Sequence, residues 1–279
     1  MVNGLQPLFD GMLQDRSWQQ PDQLCRRIDM LDQLESWLVH HGDAAGPALE
    51  QRIEALMHEL ETINRQLYQS VRLDIQQGRG ATSLLPWAAA MPHDGANESY
   101  DPLDTLVSGV LDLAEPGEVP DLEAEMVFYQ PTPARHIFDF IRRASITARD
   151  TVIDLGAGLG HVTLLTAICT PARCIGIEWQ RAYVASAQRC AQALNVRNAT
   201  FLAQDVREAC LSEGTLFYLY TPFTGAMLRT MLDMLAREAE QRAIRVCTLG
   251  PCTDVIAREP WLSTDDGCAP HRTTLFRSR

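Results

Sequence analysis

The stretch TVIDLGAGLGHV, residues 151–162, joins a short β-like run to an apolar helical pattern through a turn with three glycines. A strand, a glycine-rich turn and a helix in this order are typical of α/β domains that bind a ligand at the turn. Gly156, Gly158 and Gly160 alternate, so the third glycine stands one place earlier than in the dinucleotide-binding pattern GxGxxG. His161 occupies the last place of that pattern. The turn therefore departs from the ordinary dinucleotide site.

An acid, Asp154, lies two residues before the first glycine of this turn. A carboxylate near a strand end disfavours a pyrophosphate and favours a ligand with a cationic amine or sulfonium group. The chain contains no lysine, which excludes a phosphate-binding loop that ends in Gly-Lys and Schiff-base chemistry on lysine. The glycines let backbone groups approach the ligand closely. These features predict a cationic ligand held against the turn.

From about residue 125 onward, β-like and helical segments alternate, which is the pattern of an α/β domain with a mostly parallel sheet. Strands are predicted at residues 151–155, 173–177, 199–203, 215–220, 243–249, 261–264 and 273–277. Helices are predicted at residues 134–143, 161–169, 181–194, 205–211 and 225–241. We therefore predict an α/β fold with a doubly wound, mostly parallel seven-stranded sheet over residues 121–279.

The part before residue 121 has a helical pattern instead. Apolar residues recur every three or four positions in 24–38 and again in 53–75, which predicts two helices in an antiparallel hairpin. Residues 79–100 are rich in glycine, proline and alanine and are predicted to form a loop, followed by a short helix in 101–113. Residues 1–120 are therefore predicted to be an N-terminal α-helical domain, which serves as a cap or in oligomerisation. A homodimer through these helices is one option, although the pattern covers few heptads.

Composition points to a cytoplasmic protein without structural disulfides. The eight cysteines form no CxxC pair, and most lie in apolar segments, where a reduced thiol behaves as a small hydrophobic residue. No apolar stretch approaches the roughly 20 residues that cross a bilayer, and the N-terminus lacks the pattern of a secretory signal. No metal site is predicted, because the adjacent His40 and His41 diverge at a helix end. We expect no contact with a membrane.

The net charge of −12 is unevenly distributed. Residues 1–125 carry 22 acidic and 7 arginine side chains, whereas residues 126–279 carry 14 acidic and 17 arginine side chains. A chain with this much negative charge is not expected to bind nucleic acid, because the phosphate backbone is negative as well. As a hypothesis, the acidic N-terminal part favours a cationic acceptor, such as an amine or an arginine- or lysine-bearing peptide. The plainer interpretation is a solvated surface.

The segment VIDLGAGLG, residues 152–160, resembles the DxGxGxG motif of class I S-adenosylmethionine-dependent methyltransferases. The resemblance implies that S-adenosyl-L-methionine is the cofactor and that Asp154, Gly156, Ala157 and Gly158 bind it. It also implies a Rossmann-like fold, in agreement with the predicted alternation of strands and helices.

Two further acids follow in the order of that family. Glu178, in GIEW at the end of the second strand, matches the acid that accepts both ribose hydroxyls, a bidentate role that suits a carboxylate. Trp179 is then placed to pack on the adenine face. Asp205, in LAQDV after the third strand, matches the residue that binds the adenine amino group, with Val206 supplying a backbone contact. Alternatively, Asp205 is a helix N-cap and Trp179 is a packing residue.

Upstream, FYQPTPARHIFDFI resembles a Tyr-x-x-Thr element of the seven-stranded, non-SET histone-lysine methyltransferases. Tyr129 and Thr132 match it, and the resemblance implies that they close over the methionine end of the cofactor. A similar Tyr-x-Thr-Pro element occurs in amino-methylating DNA methyltransferases. The resemblance covers about residues 126–250. The alternative is that both residues belong to a simple turn before a helix.

The methyl acceptor is expected beside LYTPFTG, which follows the fourth strand. Amino methyltransferases of nucleic acids carry an Asn/Asp-Pro-Pro-aromatic element here, and only Pro222 and Phe223 match its last two places. We predict that these two residues bind the substrate. Tyr220, Thr221 and Tyr129 are predicted as the catalytic polar contacts to the acceptor. The alternative is a strand end followed by a proline turn.

The predicted function is transfer of a methyl group from S-adenosyl-L-methionine to a nitrogen or oxygen of a small molecule or a protein side chain. One alternative is a nucleic-acid amino methyltransferase, which FYQPTP and the Pro-Phe pair suggest and the net charge disfavours. It predicts nucleic-acid binding with a steep salt dependence. The other alternative is a non-catalytic module that binds the cofactor and uses its helical arm for assembly. It predicts cofactor binding without turnover.

Overall fold

The computed structural model describes residues 5–91, 101–114, 125–127, 129–265 and 267–279. The chain divides into two compact units, Met1–Val71 and Arg72–Arg279. The predicted domain boundary between residues 120 and 121 lies outside the described residues, so that division stays a prediction. Within the described ranges, no helix combines the length and apolar character that a membrane span needs.

The second unit contains a seven-stranded, mostly parallel sheet. Its strands are β1 Thr151–Leu155, β2 Arg173–Glu178, β3 Ala199–Ala203, β4 Leu216–Tyr220, β5 Arg245–Leu249, β6 Leu262–Ser263 and β7 Thr274–Ser278. They are ordered β3-β2-β1-β4-β5-β7-β6; β7 is antiparallel to both β5 and β6, and the other neighbouring pairs are parallel. The predicted α/β fold with a doubly wound seven-stranded sheet is confirmed.

Ten α-helices are found among the described residues. They are α1 Leu5–Gln14, α2 Leu24–Ala45, α3 Pro47–Gln76, α4 Gly80–Ala90, α5 Pro102–Leu111, α6 Ala134–Arg143, α7 His161–Cys169, α8 Arg181–Ala193, α9 Gly225–Gln241 and α10 Cys252–Ile256. Short 3₁₀ helices occupy Arg16–Gln19 and Val206–Glu208. The helices α6, α7 and α9 have the predicted bounds. Apolar residues recur with the helical period in α6 and α9, whereas α7 is buried on nearly all sides and begins directly after the glycine turn.

The predicted loop over 79–100 is wrong in its described part, since α4 occupies Gly80–Ala90 and contains Pro86. Tertiary packing overrides the loop-like composition here. Leu84 is fully buried, and a Cβ on Gly80 would lie 2.4 Å from Cγ2 of Ile168 in α7. The small residues of this segment therefore allow a close approach between two helices.

The predicted helix over 205–211 is also wrong, because only the single turn Val206–Glu208 forms there. Ala209 has an extended backbone, with φ −76° and ψ 142°, and ends the turn. The apolar residues Ala209 and Leu211 are buried in the core of the sheet domain. Their burial explains the apolar pattern without a helix.

The first unit has its own apolar core. Its buried members are Phe9, Trp18, Met30, Leu34, Trp37, Ile53, Leu56 and Leu60. The sequence predicted that the apolar residues of 24–38 form the buried face of α2. In the structure this face is shifted around the helix by about one residue, and it includes the charged Arg27. The Arg27 guanidinium donates to Oδ1 of Asn64 at 2.6 Å and to the carbonyl of Trp18 at 2.8 Å. The apolar pattern alone did not predict this buried, hydrogen-bonded cation.

The parallel order places the carboxyl ends of β1 to β5 at one edge of the sheet. In open α/β sheets, ligands bind at this edge. The core beneath it is formed by the two faces of the sheet against the flanking helices, with Ile153, Leu155, Phe217 and Leu219 fully buried. The sheet therefore presents its loops on a rigid base.

The close contact between α4 and α7 can be tested with Gly80→Ala. We expect a loss of about 1–3 kcal/mol in the free energy of unfolding, because the new methyl group overpacks against Ile168. Gly11→Ala, in the exposed interior of α1 with open space around it, is the control and should gain about 0.5–1 kcal/mol. Urea unfolding of both variants measures this, and equal effects would contradict the packing of α4.

Candidate active site

A cavity of about 720 Å³ opens at the carboxyl edge of the sheet. Every residue that the sequence predicted for the site lines it, except Gly158. These lining residues are Tyr129, Thr132, Asp154, Gly156, Ala157, Glu178, Trp179, Asp205, Val206, Tyr220, Thr221, Pro222 and Phe223. Segments up to about 90 residues apart in the chain are thus brought to one place.

The glycine turn after β1 is tied to the end of β2 by backbone hydrogen bonds. The N–H groups of Gly156 and Ala157 donate to the carbonyl of Ile177 at 3.0 and 2.9 Å. Gly156 and Gly158 have φ of +83° and +55°, a region that favours glycine. A Cβ on Gly156 would lie 2.4 Å from Cβ of Pro222, and one on Gly158 would lie 2.1 Å from the ring of Tyr129. The missing side chains therefore make room for two loops of the site itself.

Asp154 lies at the inner end of the cavity, only 4% exposed. Its Oδ2 accepts a hydrogen bond of 2.9 Å from the Thr163 hydroxyl. Burial raises the pKa of Asp154 to about 7, and the nearby charge of Glu178 contributes to the increase. No cationic side chain among the described residues pairs with it. Because a buried carboxylate needs a compensating cation, this position fits the ammonium or sulfonium of a ligand.

Glu178 ends β2 and is 9% exposed. Its Oε2 accepts the Gly158 N–H at 2.9 Å, and its Oε1 accepts the Gln180 N–H at 2.8 Å. Burial raises its pKa, and these backbone bonds lower it in part. Each oxygen keeps a second lone pair, so the carboxylate can also accept ligand hydroxyls. Trp179 beside it is 38% exposed and borders the cavity rather than the core.

Asp205 forms the N-cap of the single 3₁₀ turn that follows β3. Its Oδ1 accepts the backbone N–H of Arg207 at 2.8 Å, and Nε of Arg207 lies 3.0 Å from both carboxylate oxygens. These bonds to Arg207 hold the pKa of Asp205 below its usual value. The alternative role as an N-cap is thus present in the structure. The residue lines the cavity as well, so capping does not exclude ligand binding.

Tyr129 covers the glycine turn and contacts two aromatic neighbours. Its hydroxyl lies 3.2 Å from Nδ1 of His161, and its ring centroid lies 5.1 Å from that of Tyr183. Burial lowers the pKa of His161 to about 4, so the imidazole is neutral at pH 7. Thr132, three residues after Tyr129, is buried and also lines the cavity.

The loop after β4 forms the opposite wall. Thr221 has a strained φ of +37°, and its hydroxyl donates to the carbonyl of Leu249 at 3.0 Å and accepts the N–H of Cys252 at 3.1 Å. The Thr221 hydroxyl therefore acts both as a donor and as an acceptor within the protein. Tyr220 and Phe223 flank it on the cavity wall.

A short segment, residues 125–127, pairs with this loop and closes the wall. The N–H of Val127 donates to the carbonyl of Pro222 at 3.2 Å, and the N–H of Thr224 donates to the carbonyl of Glu125 at 2.9 Å. The Glu125 carboxylate accepts the N–H groups of Ala226 and Met227 at the start of α9. These bonds lower the pKa of Glu125.

Sequence reasoning missed several residues that line the cavity. They are Met126, Val127, Gln130, His161, Val162, Gln180, Tyr183, Tyr218, Thr224, Met227 and Pro251. Tyr218 carried a usable signal, since it lies two residues before Tyr220 on the same strand and so faces the same side. His161 adjoins the glycine turn, but a histidine at a helix start is ordinarily solvated, and only the structure shows its contact with Tyr129.

Residues 126–213 match the family of the histone methylation protein DOT1. The match spans the Tyr129 element, the glycine turn and all three acids of the cavity. The protein is a class I S-adenosylmethionine-dependent methyltransferase. Within that class it resembles the non-SET histone methyltransferases.

Solved structures with similar folds include other methyltransferases. An RNA methyltransferase from Salinibacter ruber, in complex with S-adenosyl-L-homocysteine, is 24% identical, with 53% of this chain and 92% of that chain covered and a TM-score of 0.44. A precorrin-6y C5,15-methyltransferase from Geobacter metallireducens is 14% identical, with 55% and 91% covered and a TM-score of 0.41. The tRNA (m1A58) methyltransferase TrmI from Aquifex aeolicus is 13% identical, with 54% and 70% covered and a TM-score of 0.42. No curated protein matches the chain.

The methyltransferase should release protons when it binds S-adenosyl-L-methionine near pH 7. Asp154, with a pKa of about 7, is about half protonated there, and a cationic ligand favours the carboxylate. We therefore expect release of up to about half a proton per site, measured by titration calorimetry in buffers of different protonation enthalpy. Asp154→Asn should abolish the release, whereas Asp205→Asn, which replaces an acid already ionised at pH 7, should retain it. Equal release from Asp154→Asn and the wild type would contradict the prediction.

The same carboxyl should make the stability of the unliganded methyltransferase depend on pH. Its pKa is higher in the folded than in the unfolded chain, so the folded state binds more protons between about pH 4 and 7 and loses stability as the pH rises through this range. Asp154→Asn should not lose stability in this way. The free energy of unfolding of the variant minus that of the wild type should therefore be larger at pH 8 than at pH 5. Urea unfolding at both values measures the difference, and parallel curves would count against it.

Proposed function

We propose that this methyltransferase modifies a nitrogen or oxygen of a small molecule or a protein side chain in the uncharged, aromatic end of the cavity. The lining beside β4 is the observation that supports the proposal. Tyr220, Phe223, Met126 and Met227 form this part of the wall. All acids among the described lining residues belong to the side of β1, β2 and β3 instead. The cavity thus has an acidic end for the cofactor and an apolar end for the acceptor.

The assignment of cofactor contacts follows this division. We propose that Asp154 binds the cationic part of S-adenosyl-L-methionine, Glu178 the ribose hydroxyls, and Asp205 with Val206 the adenine edge. Trp179 is proposed to pack on the adenine ring, since it borders the cavity beside Glu178.

The remaining cofactor contacts are proposed for the elements that cover the glycine turn. Tyr129 and Thr132 would close over the methionine end, because the Tyr129 ring lies directly on Gly158. Gly156 and Ala157, which also line the cavity, would offer their backbone to the cofactor.

The uncharged acceptor end favours nitrogen over oxygen. When bound, the cofactor supplies a methyl group on a sulfonium, which is an activated leaving group. An amine accepts this group only in its neutral form, and an apolar environment lowers the pKa of an amine. A hydroxyl acceptor would need a base, and the described residues of this end include no carboxylate. The protein's main tasks are then to exclude water and to align the acceptor.

Among the predicted catalytic residues, Tyr220 and Tyr129 are proposed to contact the acceptor. The neutral imidazole of His161 would orient the Tyr129 phenol through their hydrogen bond. Thr221 is proposed to act through the shape of its turn, because its hydroxyl already bonds to Leu249 and Cys252. Pro222 and Phe223 would then bind the substrate as apolar walls.

A nucleic-acid amino methyltransferase is the second candidate. Pro222 and Phe223 occupy the turn where such enzymes hold the target base, and residues 126–279 carry an arginine excess. However, Tyr220 stands where the amide or acid of that element is expected.

Three further predictions from the sequence stand as proposals. The acidic N-terminal helices would form a cap or an oligomerisation domain. In the second role they would make the protein a homodimer. They would also attract a cationic acceptor, although the described acceptor lining contains no acid. A cytoplasmic location agrees with the eight cysteines, all of them described residues, none of which forms a disulfide.

The function is tested by methyl transfer from radiolabelled S-adenosyl-L-methionine to three classes of acceptor. The classes are small amines and phenols, arginine- or lysine-bearing peptides, and duplex or single-stranded nucleic acids. We expect label in the first or second class. Label in nucleic acid alone would support the second candidate, and absence of label in the first and second classes would contradict the proposal.

Once an acceptor is found, Tyr220→Ala and Trp179→Ala should separate the two ends of the cavity. We expect Tyr220→Ala to raise the acceptor KM about tenfold and to leave the cofactor Kd within about twofold, because an aromatic wall is lost only at the acceptor end. Trp179→Ala should raise the cofactor Kd and leave the acceptor KM unchanged at saturating cofactor. Steady-state kinetics and calorimetry measure both constants. If Tyr220→Ala raised the cofactor Kd and Trp179→Ala raised the acceptor KM, the proposed division of the cavity into two ends would be wrong.

A further inference from the structure

Tyr218 is a fully buried phenol that lines the cavity and that no sequence motif singled out. Among the described residues, none forms a hydrogen bond with its hydroxyl. Thr132 approaches the phenol, but no bond of ordinary geometry joins them. Buried hydroxyls nearly always have a partner, so an unsatisfied one that faces a cavity indicates a ligand group.

The position of this hydroxyl is set by the sheet. Tyr218 is the direct neighbour of Asp154 in the parallel register of β1 and β4, so both side chains lie on the same face of the sheet. The ring packs against Phe140 of α6, with centroids 5.0 Å apart. Burial raises the pKa of Tyr218 well above its usual value, so the phenol keeps its proton. A protonated hydroxyl can donate one hydrogen bond and also accept.

The order of the strands indicates which part of the cofactor reaches it. Asp205 follows β3, Glu178 ends β2 and Asp154 lies on β1, and these strands are adjacent in that order. As proposed above, the adenine lies at Asp205 and the ribose at Glu178. The rest of the cofactor molecule then extends past β1 toward β4. The group beyond the ribose is the amino-acid end, which carries an ammonium and a carboxylate.

We infer that Tyr218 is a further cofactor-binding residue, whose hydroxyl hydrogen-bonds to the amino-acid end of S-adenosyl-L-methionine beside Asp154. Asp154 supplies a negative charge for that end, and the phenol supplies a neutral donor and acceptor. Tyr220, two residues further along β4, belongs to the acceptor end instead. The inference rests on the proposed order of cofactor contacts.

Tyr218→Phe tests the inference with two ligands. S-adenosyl-L-homocysteine contains the amino-acid end, whereas 5′-methylthioadenosine lacks it. We expect the variant to raise the Kd for S-adenosyl-L-homocysteine about tenfold and to leave the Kd for 5′-methylthioadenosine within about twofold, both measured by calorimetry. The melting temperature of the unliganded variant should equal or exceed that of the wild type, because no hydrogen bond of the protein is lost.

Thr274→Val is the matched control. Its hydroxyl is also fully buried and unpartnered among the described residues, but it lies on β7 and does not line the cavity. We expect no change in either Kd for this variant. An unchanged affinity of Tyr218→Phe for S-adenosyl-L-homocysteine, as an ordered water on the phenol would produce, overturns the inference, and so does an equal loss for both ligands. Failure of the wild type to bind S-adenosyl-L-homocysteine would instead contradict the cofactor site as a whole.

Discussion

Two carboxylates are buried at the ends of adjacent strands, and both face the cavity of this methyltransferase. Glu178 is partly compensated by backbone N–H groups of Gly158 and Gln180, and Asp154 by the hydroxyl and the backbone of Thr163. Neither is neutralised by a cation of the described protein. Buried carboxylates of this kind are unfavourable alone and favourable beside a cationic ligand. A cation that binds beside them would therefore stabilise the fold.

The glycine turn connects the two halves of the cavity. The missing side chains at Gly156 and Gly158 admit Pro222 from the loop after β4 and Tyr129 from the segment before α6. Two walls of the cavity thus pack on the same five-residue turn.

Unfavourable local features are concentrated around this cavity. The carboxyl of Asp154 has no cationic partner within the described part of the chain, Tyr218 has an unpartnered hydroxyl, and Thr221 holds a strained backbone. The sheet beneath them is regular and fully packed, and it holds these groups in place. Strained or unsatisfied groups that persist on a rigid base are typical of binding sites, where the ligand supplies the missing interactions.

The sequence by itself determined the sheet and brought the acids Asp154, Glu178 and Asp205 to one cavity. The strands 151–155 and 199–203 are where their apolar runs predicted them, and acids at the ends of parallel strands necessarily meet at one edge. It did not determine α4 or the short turn after Asp205, because contacts with distant elements decide both. Nor could it place Tyr218 beside Asp154, since residues 64 positions apart become neighbours only through the register of β1 and β4. Local patterns encode local structure, whereas that register depends on packing of the whole sheet.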